Sequence, residues 1–286
     1  MSTDVIYTDF QRAFDKDDIH LLVSKLGSYG IYGNLLTWFE SFLQGRTKRV
    51  RMGSAVSSEI LVTSEVGQGS NLGPLLFIIY INYIKYFIKH STFLLFADDL
   101  KLYKSINNYD DCVLLYNNLE SVNNWCKMNG MDLETKKCNA VTFGTRVMVN
   151  IDYRVDDTSL SCLKVIKDLG IYFDTSLNFH CHVDFIFAKV TKIIDFVKRN
   201  SKVSGNEITF RRIYFSYVYP GIIYGSQIWS SLNNSQFKQL EGLNHTFLRF
   251  AAYRIGVPMQ KTDHDYTGIA MRLEISSIRS ALLQLI

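Results

Sequence analysis

The sequence contains few residues that break or cross-link a chain. Only 3 of its 286 residues are proline, and its 5 cysteines form no CxxC pair. The low proline content excludes a linker-rich or collagen-like chain. An odd cysteine count without CxxC spacing argues against a disulfide framework and against a zinc ribbon. We therefore expect free thiols in a reducing compartment.

The sequence also lacks a long hydrophobic run. The longest apolar stretch, Leu72–Ile84, is too short and too interrupted to span a bilayer, which takes about 20 apolar residues in a helix. No charged-then-apolar signal precedes residue 10. The sequence thus predicts a protein that has no membrane partner and stays inside the cell, in the nucleus or the cytoplasm.

Charge of neither sign dominates the chain. The formal net charge is +4 and the isoelectric point is about 8.6, below the value of about 9 that marks a strongly basic nucleic-acid-binding domain. The basic residues are nevertheless concentrated in two zones, at residues 46–51 and 189–212. Because 47% of the residues are hydrophobic, the chain can also build a large core. A globular protein with two local basic surfaces is expected.

The hydrophobic pattern predicts an α+β fold. Strands and helices mix without strict alternation in the first part, unlike in a doubly wound sheet, and the pattern is mainly helical from about residue 178. We place a domain boundary near residue 175, between residues 1–175 and 176–286. The predicted strands are 4–10, 49–52, 58–63, 93–96, 100–103, 140–143 and 169–173. The predicted helices begin near the acidic cluster at residues 15–18 and near residues 35, 74 and 110, the third of them capped by Ser70 or Asn71.

Two adjacent carboxylates, Asp98 and Asp99, join two apolar segments, residues 93–96 and Leu100. Buried flanks make adjacent carboxylates costly unless a cation compensates them. The alternative is a solvent-exposed hairpin turn, in which Asp is common. A tight two-residue turn usually carries Asn-Gly or Asp-Gly, and neither is present here. We therefore interpret the pair as a candidate site.

A third carboxylate, Asp9, ends the first predicted strand. If that strand lies beside the 93–103 hairpin, three carboxylates converge, and oxygen ligands of this kind suit Mg²⁺. Two such ions can activate an attacking hydroxyl and stabilise the leaving oxygen in phosphoryl transfer. Taken alone, an aspartate such as Asp9 is more often a helix N-cap than a metal ligand.

Five motifs follow one another along the first part of the chain. They are YTDFQRAFD (7–15), GQGSNLGPLLF (67–77), FADDLKLY (96–103), WCKMNGMDLETKKC (125–138) and LGIYFD (169–174). In their order and spacing they resemble the reverse transcriptases of non-LTR, LINE-like retrotransposons. The resemblance implies a polymerase palm, an antiparallel sheet with packed helices, followed by a mainly helical thumb. It also implies Mg²⁺ as cofactor, with Mn²⁺ as a substitute, and an RNA template, a DNA primer and dNTP as partners.

The resemblance assigns roles to individual residues. Asp9, Asp98 and Asp99 match the metal-binding carboxylates of the family. Lys137 matches a lysine that protonates the leaving pyrophosphate or neutralises its charge, a role that electrostatics justify; the alternative is an ordinary surface lysine. Phe14 matches the bulky ring that rejects a 2′-hydroxyl, and without the resemblance it would be a core aromatic.

Further roles concern the template and the primer. Gln68 and Gly69 match the loop that supports the template and the incoming nucleotide, where glycine lets the backbone approach closely. Residues 169–173 match the element that grips the primer end, with a core strand as the alternative. The second basic zone would contact the backbone of an RNA–DNA hybrid. His180 and His182 lack other ligands at metal spacing, so structural roles are expected for them.

The sequence departs from the family pattern at Glu65, Gly67, Tyr83 and Glu134. It also begins only eight residues before Asp9, so we expect an N-terminally truncated protein without most of the fingers region that holds the nucleotide triphosphate. Two interpretations remain open from the sequence. One is an RNA-directed DNA polymerase fragment, and the other is a non-catalytic relic or domesticated nucleic-acid-binding protein with the same fold.

Overall fold

The computed structural model describes residues 2–11, 18–62, 69–144, 151–201, 206–258 and 265–284. The chain forms two compact units, Met1–Lys164 and Val165–Ile286. The division falls ahead of the predicted boundary at residue 175, because the hairpin that precedes residue 175 packs with the helices of the second unit; the Tyr172 and Phe185 rings there are 4.9 Å apart.

The first unit mixes short strands with helices, which confirms the α+β prediction. Its strands are β1 (Ser2–Thr8), β2 (Thr47–Lys48), β3 (Arg51–Met52), β4 (Ala55–Val56), β5 (Ile60–Leu61), β6 (Thr92–Phe96), β7 (Asp99–Ile106), β8 (Asn139–Gly144), β9 (Arg154–Val155), β10 (Thr158–Ser159) and β11 (Ser161–Cys162). Its helices are α1 (Ile19–Ser28), α2 (Asn34–Leu43), α3 (Gly73–Ile81) and α4 (Tyr109–Met128), and a 3₁₀ segment covers Asn82–Phe87.

A five-stranded sheet carries this unit, in the order β11-β8-β1-β7-β6. The pairs among β8, β1, β7 and β6 are antiparallel and only β11 is parallel to its neighbour. Strand β1 is the central strand of this sheet. One of its faces, with Ile6 and Thr8, is buried, and the helices cover it with an apolar core that includes Leu22, Phe77, Leu100, Leu102, Leu119 and Trp125.

A buried carboxylate helps to fix the position of β1. Asp4, only 6% exposed, accepts hydrogen bonds from the Thr142 hydroxyl at 2.7 Å and from the Tyr153 hydroxyl at 2.8 Å. Burial and the charge of Asp4 together raise the pKa of Tyr153, which keeps its hydroxyl protonated as a donor. A register slip would break both bonds and leave the carboxylate unpaired, which is costly.

The sequence predicted the start of α1 better than the cap of α3. Asp18 caps α1, accepting from the His20 and Leu21 backbone N–H groups at 2.8 and 3.2 Å. The cap predicted for α3 is wrong, because Leu72 occupies that position without a side-chain bond. The Ser70 hydroxyl, two residues before the N-cap position, instead accepts from the N–H of Gly73, the first residue of the helix, at 3.0 Å.

The second unit is a hairpin followed by helices, in agreement with the mainly helical pattern predicted there. The strands are β12 (Val165–Asp168) and β13 (Ile171–Asp174). The helices are α5 (His180–Asn200), α6 (Glu207–Ile213), α7 (Tyr219–Ile223), α8 (Ser226–Trp229), α9 (Asn234–Ile255), α10 (Thr267–Leu273) and α11 (Ile278–Leu283), with a π-helical segment at Tyr214–Val218. Their core includes Val183, Ile186, Val190, Phe210, Trp229, Leu240 and Phe247.

Within the described ranges, none of the helices combines the length and the apolarity needed to cross a bilayer. All five cysteines are free; Cys112, Cys126 and Cys138 are buried, whereas Cys162 and Cys181 are exposed.

His182 connects the hairpin to α5. Its ring is 2% exposed, its Nδ1 accepts from the Tyr172 backbone N–H at 3.3 Å, and it packs edge-on against Trp229 at 5.3 Å. Burial, with a smaller contribution from Lys189, lowers the pKa of His182 from 6.5 to about 4. Its burial, its hydrogen bond and its ring contact therefore support the structural role expected for His182.

This pKa predicts acid sensitivity. Between pH 6.5 and about 4 the unfolded chain binds a proton at His182 that the folded chain excludes, so the free energy of unfolding falls by up to roughly 3 kcal/mol over that range. Urea titrations at several pH values should show this loss for the wild type. The loss should shrink in His182→Gln and persist in His180→Gln, the exposed neighbour on the same helix. Equal pH slopes in all three would contradict the assignment.

Candidate active site

The register of β1 against β7 determines which acidic residues meet. Tyr7 pairs with Lys101 and Thr8 with Leu100, so the next position along both strands sets Asp9 across from Asp99. The Thr8 hydroxyl donates to the Leu100 carbonyl at 3.0 Å and secures this end of the ladder. The strand that ends at Asp9 therefore lies beside the hairpin of β6 and β7, as predicted.

The Asp98-Asp99 pair lies at a tight hairpin turn. Phe96 pairs with Asp99, so only Ala97 and Asp98 form the turn, and Ala97 takes the left-handed region with a φ of 52°. The argument against a tight turn from the missing Asn-Gly was therefore wrong. Pairing of β7 with both β1 and β6 fixes the register, and the turn residues conform to it.

The surroundings of this turn are more open than predicted. Strand β6 is an edge strand, and its Leu94 and Phe96 side chains are 56% and 63% exposed. Leu100 is fully buried, but Asp98 is only partly buried and Asp99 is exposed. The two carboxylates of the turn are thus accessible to solvent.

A second chain segment is fastened beside Asp9. The Asp9 carbonyl accepts from the Glu134 N–H at 2.8 Å, and the Gln11 N–H donates to the Asp132 carbonyl at 2.8 Å. Between them Phe10 forms an isolated bridge with Leu133. These bonds hold the turn that follows residue 132 against the end of β1.

That turn brings a cation to the carboxylate. Lys137 Nζ lies 3.3 Å from Asp9 Oδ1, with side chains that are 64% and 37% exposed. The structure therefore places the predicted lysine next to a predicted metal ligand. The adjacent Cys138 is buried against the same segment; desolvation is the main cause that raises the pKa of its thiol, and the charge of Asp9 adds to it. Cys138 is a packing residue here.

One residue of this surface was missed from the sequence. Lys101 lies two positions after Asp99 on β7, is 8% exposed, and its Nζ is 5.9 Å from the centre of the Tyr7 ring. Residues two apart on a strand share a face, so Lys101 and Asp99 lie on the same side of the sheet. Strand alternation through the FADDLKLY motif was the signal that could have identified it.

The donor chemistry fits a hard divalent cation, because carboxylate oxygens are the ligands that Mg²⁺ prefers. Within the part of the chain that the structure describes, no three Asp, Glu, His or Cys side chains are arranged as a metal-binding group. The register brings Asp9 and the Asp98-Asp99 turn to one end of the sheet, and their convergence on an ion stays a prediction.

The remaining predicted site residues are only partly covered. Phe14 and Gln68 lie outside the described residues. Gly69 is described; it precedes α3 and has a φ of 83°, in the left-handed region that favours glycine. Of the four departures from the family pattern, Glu65 and Gly67 lie outside the described residues, whereas Tyr83 and Glu134 lie within them.

Comparison with known proteins decides the family. A family model described as reverse transcriptase (RNA-dependent DNA polymerase) matches residues 2–173. The chain belongs to the reverse transcriptase family. This confirms the resemblance to non-LTR retrotransposon enzymes and, with it, the assignment of a palm-type α+β fold.

Relatives among curated proteins are transposon polymerases of flies. The chain is 27% identical to a probable RNA-directed DNA polymerase from transposon X-element of Drosophila melanogaster and 25% identical to the RNA-directed DNA polymerase from mobile element jockey of Drosophila funebris. Each match covers 85% of this chain and 28% of the relative, so the chain spans little more than a quarter of their length.

Solved structures with a similar shape are telomerases. The telomerase of Candida tropicalis in complex with a TWJ fragment of telomeric RNA matches 99% of this chain and 49% of that chain, with 11% identity and a TM-score of 0.48. The corresponding Candida albicans complex matches 96% of this chain and 51% of that chain, with 12% identity and a TM-score of 0.47.

The Lys137–Asp9 contact yields a prediction about cation binding. A positive charge this close to a predicted ligand carboxylate disfavours a second cation, but both groups are exposed, so the effect is small, about 0.2–1 kcal/mol. Lys137→Met should therefore bind Mn²⁺ about 2- to 5-fold more tightly than the wild type, measured by electron paramagnetic resonance titration. Lys136→Met, which alters the neighbouring lysine, should bind like the wild type; an equal gain in that variant would remove the specific role of Lys137.

Proposed function

We propose that this chain is the catalytic palm and the thumb of an RNA-directed DNA polymerase of a non-LTR retrotransposon. It adds dNTPs to the 3′ end of a DNA primer on an RNA template. The observation that carries the proposal is the β1–β7 register, which sets Asp9 across from Asp99 with Lys137 3.3 Å from the Asp9 carboxylate. This arrangement suits phosphoryl transfer, because carboxylates can hold divalent ions and a neighbouring lysine can neutralise charge on a leaving group.

The residues divide the work as follows. Asp9, Asp98 and Asp99 hold the divalent ions, with Mg²⁺ as the preferred ion and Mn²⁺ as its substitute. Divalent ions held by these carboxylates would supply activation of the primer hydroxyl and stabilisation of the leaving oxygen. Lys137 lies beside these ligands, where its Nζ neutralises or protonates the leaving pyrophosphate.

Further residues are assigned to substrate binding. Phe14 abuts the sugar of the incoming dNTP and rejects a 2′-hydroxyl, while Gln68 and Gly69 support the template base and the nucleotide. The turn and strand at residues 169–173 contact the primer end. On the second unit, exposed basic residues of α5 and α6 contact the phosphates of the hybrid; they include Lys189, Lys192, Arg199 and Arg212.

Two domains follow from these assignments. The sheet unit, Met1–Lys164, is the palm, and the helical part of Val165–Ile286 is the thumb. The hairpin of β12 and β13 is part of the second unit, which links the primer contact to the helices that contact the hybrid.

Primer extension tests the proposal. The purified chain, with a DNA primer on an RNA template and Mg²⁺ or Mn²⁺, should add nucleotides, and Asp98→Asn should reduce the rate by at least ~100-fold, as expected when a principal source of transition-state charge stabilisation is lost. Asp110→Asn, which removes an exposed carboxylate at the start of α4, is the matched control and should retain the wild-type rate.

The result that would contradict catalysis is equal extension by the wild type and Asp98→Asn. If hybrid binding is then salt-dependent and survives loss of the carboxylates, the chain is a nucleic-acid-binding relic of the same fold, because phosphate contacts alone explain such binding.

A further inference from the structure

The turn between β12 and β13 has an unusual conformation. Asp168 pairs with Ile171, so Leu169 and Gly170 form a two-residue turn in which both have positive φ, 44° and 87°. Such turns normally carry Asn, Asp or Gly in both positions. A leucine with positive φ is rare because its side chain crowds the backbone. Something outside the turn has to hold it.

Tyr224, which follows helix α7, contacts both residues of this turn. The Tyr224 hydroxyl donates to the Leu169 carbonyl at 2.9 Å. Its ring also lies flush against Gly170, where an added Cβ would be only 3.2 Å from Tyr224 Cε1. One side chain thus contacts both residues of the turn, one through a hydrogen bond and the other through close packing.

The tyrosine is itself fixed to the core. Its backbone carbonyl accepts from Trp229 Nε1 at 2.9 Å, and Trp229 is fully buried. The next residue, Gly225, has a φ of 65°, and a Cβ there would meet Ile171 Cδ1 at 2.5 Å. Tyr224 and Gly225 therefore form a clamp that is anchored in the helices and closes on the hairpin.

The clamp does not serve to bury the turn. Leu169 remains 43% exposed and Tyr224 58% exposed. Because the Leu169 side chain stays exposed, burial in the core contributes little free energy to offset its disfavoured backbone conformation. The geometry favours a different advantage, namely that the Leu169 side chain is presented to a ligand in one fixed orientation.

We propose that Tyr224 and Gly225 are positioning residues that hold the Leu169-Gly170 turn so that Leu169 contacts the recessed 3′ end of a nucleic-acid primer. The clamp itself follows from the contacts above, whereas the identity of the ligand rests on the proposed polymerase function. Leu169 touches the primer in this account, and Tyr224 acts through it.

Amide hydrogen exchange tests the clamp without any turnover. In Tyr224→Phe, peptides that cover residues 165–174 should exchange about 3- to 10-fold faster, the change expected for one lost hydrogen bond, while peptides of α5 remain unchanged. Tyr217→Phe is the matched control, since Tyr217 is 59% exposed in the same unit. Unchanged exchange in Tyr224→Phe would overturn the clamp.

Leu169→Asn separates presentation from stability. Asparagine tolerates the left-handed region, so hairpin exchange should stay the same or slow down. The Kd for an RNA–DNA hybrid with a recessed primer end should nevertheless rise about 3- to 10-fold, as it should in Tyr224→Phe, with no change in KM for dNTP. A merely structural leucine predicts no loss of affinity in Leu169→Asn, and that result would overturn the primer contact.

The two proposals can fail separately. A wild-type chain that binds the recessed hybrid but extends no primer contradicts the polymerase function and leaves the clamp supported by exchange and affinity. If the Leu169→Asn and Tyr224→Phe variants extend primers as well as the wild type does, the role of the clamp in primer binding is contradicted and the polymerase function remains supported.

Discussion

The pairing of β1 with two neighbours is the constraint on which the site depends. Strand β1 is hydrogen-bonded to β7 on one side and β8 on the other, and the buried Asp4 makes any slip along β8 costly. Because side chains alternate along a strand, a shift of one residue would turn Asp9 to the opposite face of the sheet. The position of the carboxylates therefore follows from a register that the core and Asp4 maintain together.

Acidic and basic side chains lie near one another at this end of the sheet. Three carboxylates at one sheet end repel each other unless a cation compensates them. Lys137 contributes one positive charge beside Asp9 and Lys101 another on the face of Asp99, while exposure of Asp99 keeps the desolvation cost low. These charges are compatible with the folded state before any ion binds.

Much of this arrangement could be predicted from the sequence, because hydrophobic periodicity determined the helix at 109–128 and the paired strands around the Asp98-Asp99 turn. Local rules failed where distant contacts decide. The Ala97 turn forms without Asn-Gly because the ladder imposes it, and the Leu169 turn exists because Tyr224, far along the chain, holds it. For the same reason the two units divide after Lys164 and not near residue 175, since β13 packs on α5.

The central claim is that Asp9, Asp98 and Asp99 bind a divalent cation at the end of β1. Fe²⁺ bound in place of Mg²⁺ generates hydroxyl radicals with ascorbate and peroxide, and these cut the backbone near the ion. The account predicts cuts near Asp9, near the Asp98-Asp99 turn and near Lys137, all suppressed by excess Mg²⁺ and by Asp98→Asn. Cuts that are absent there, or that persist unchanged in Asp98→Asn, would contradict it.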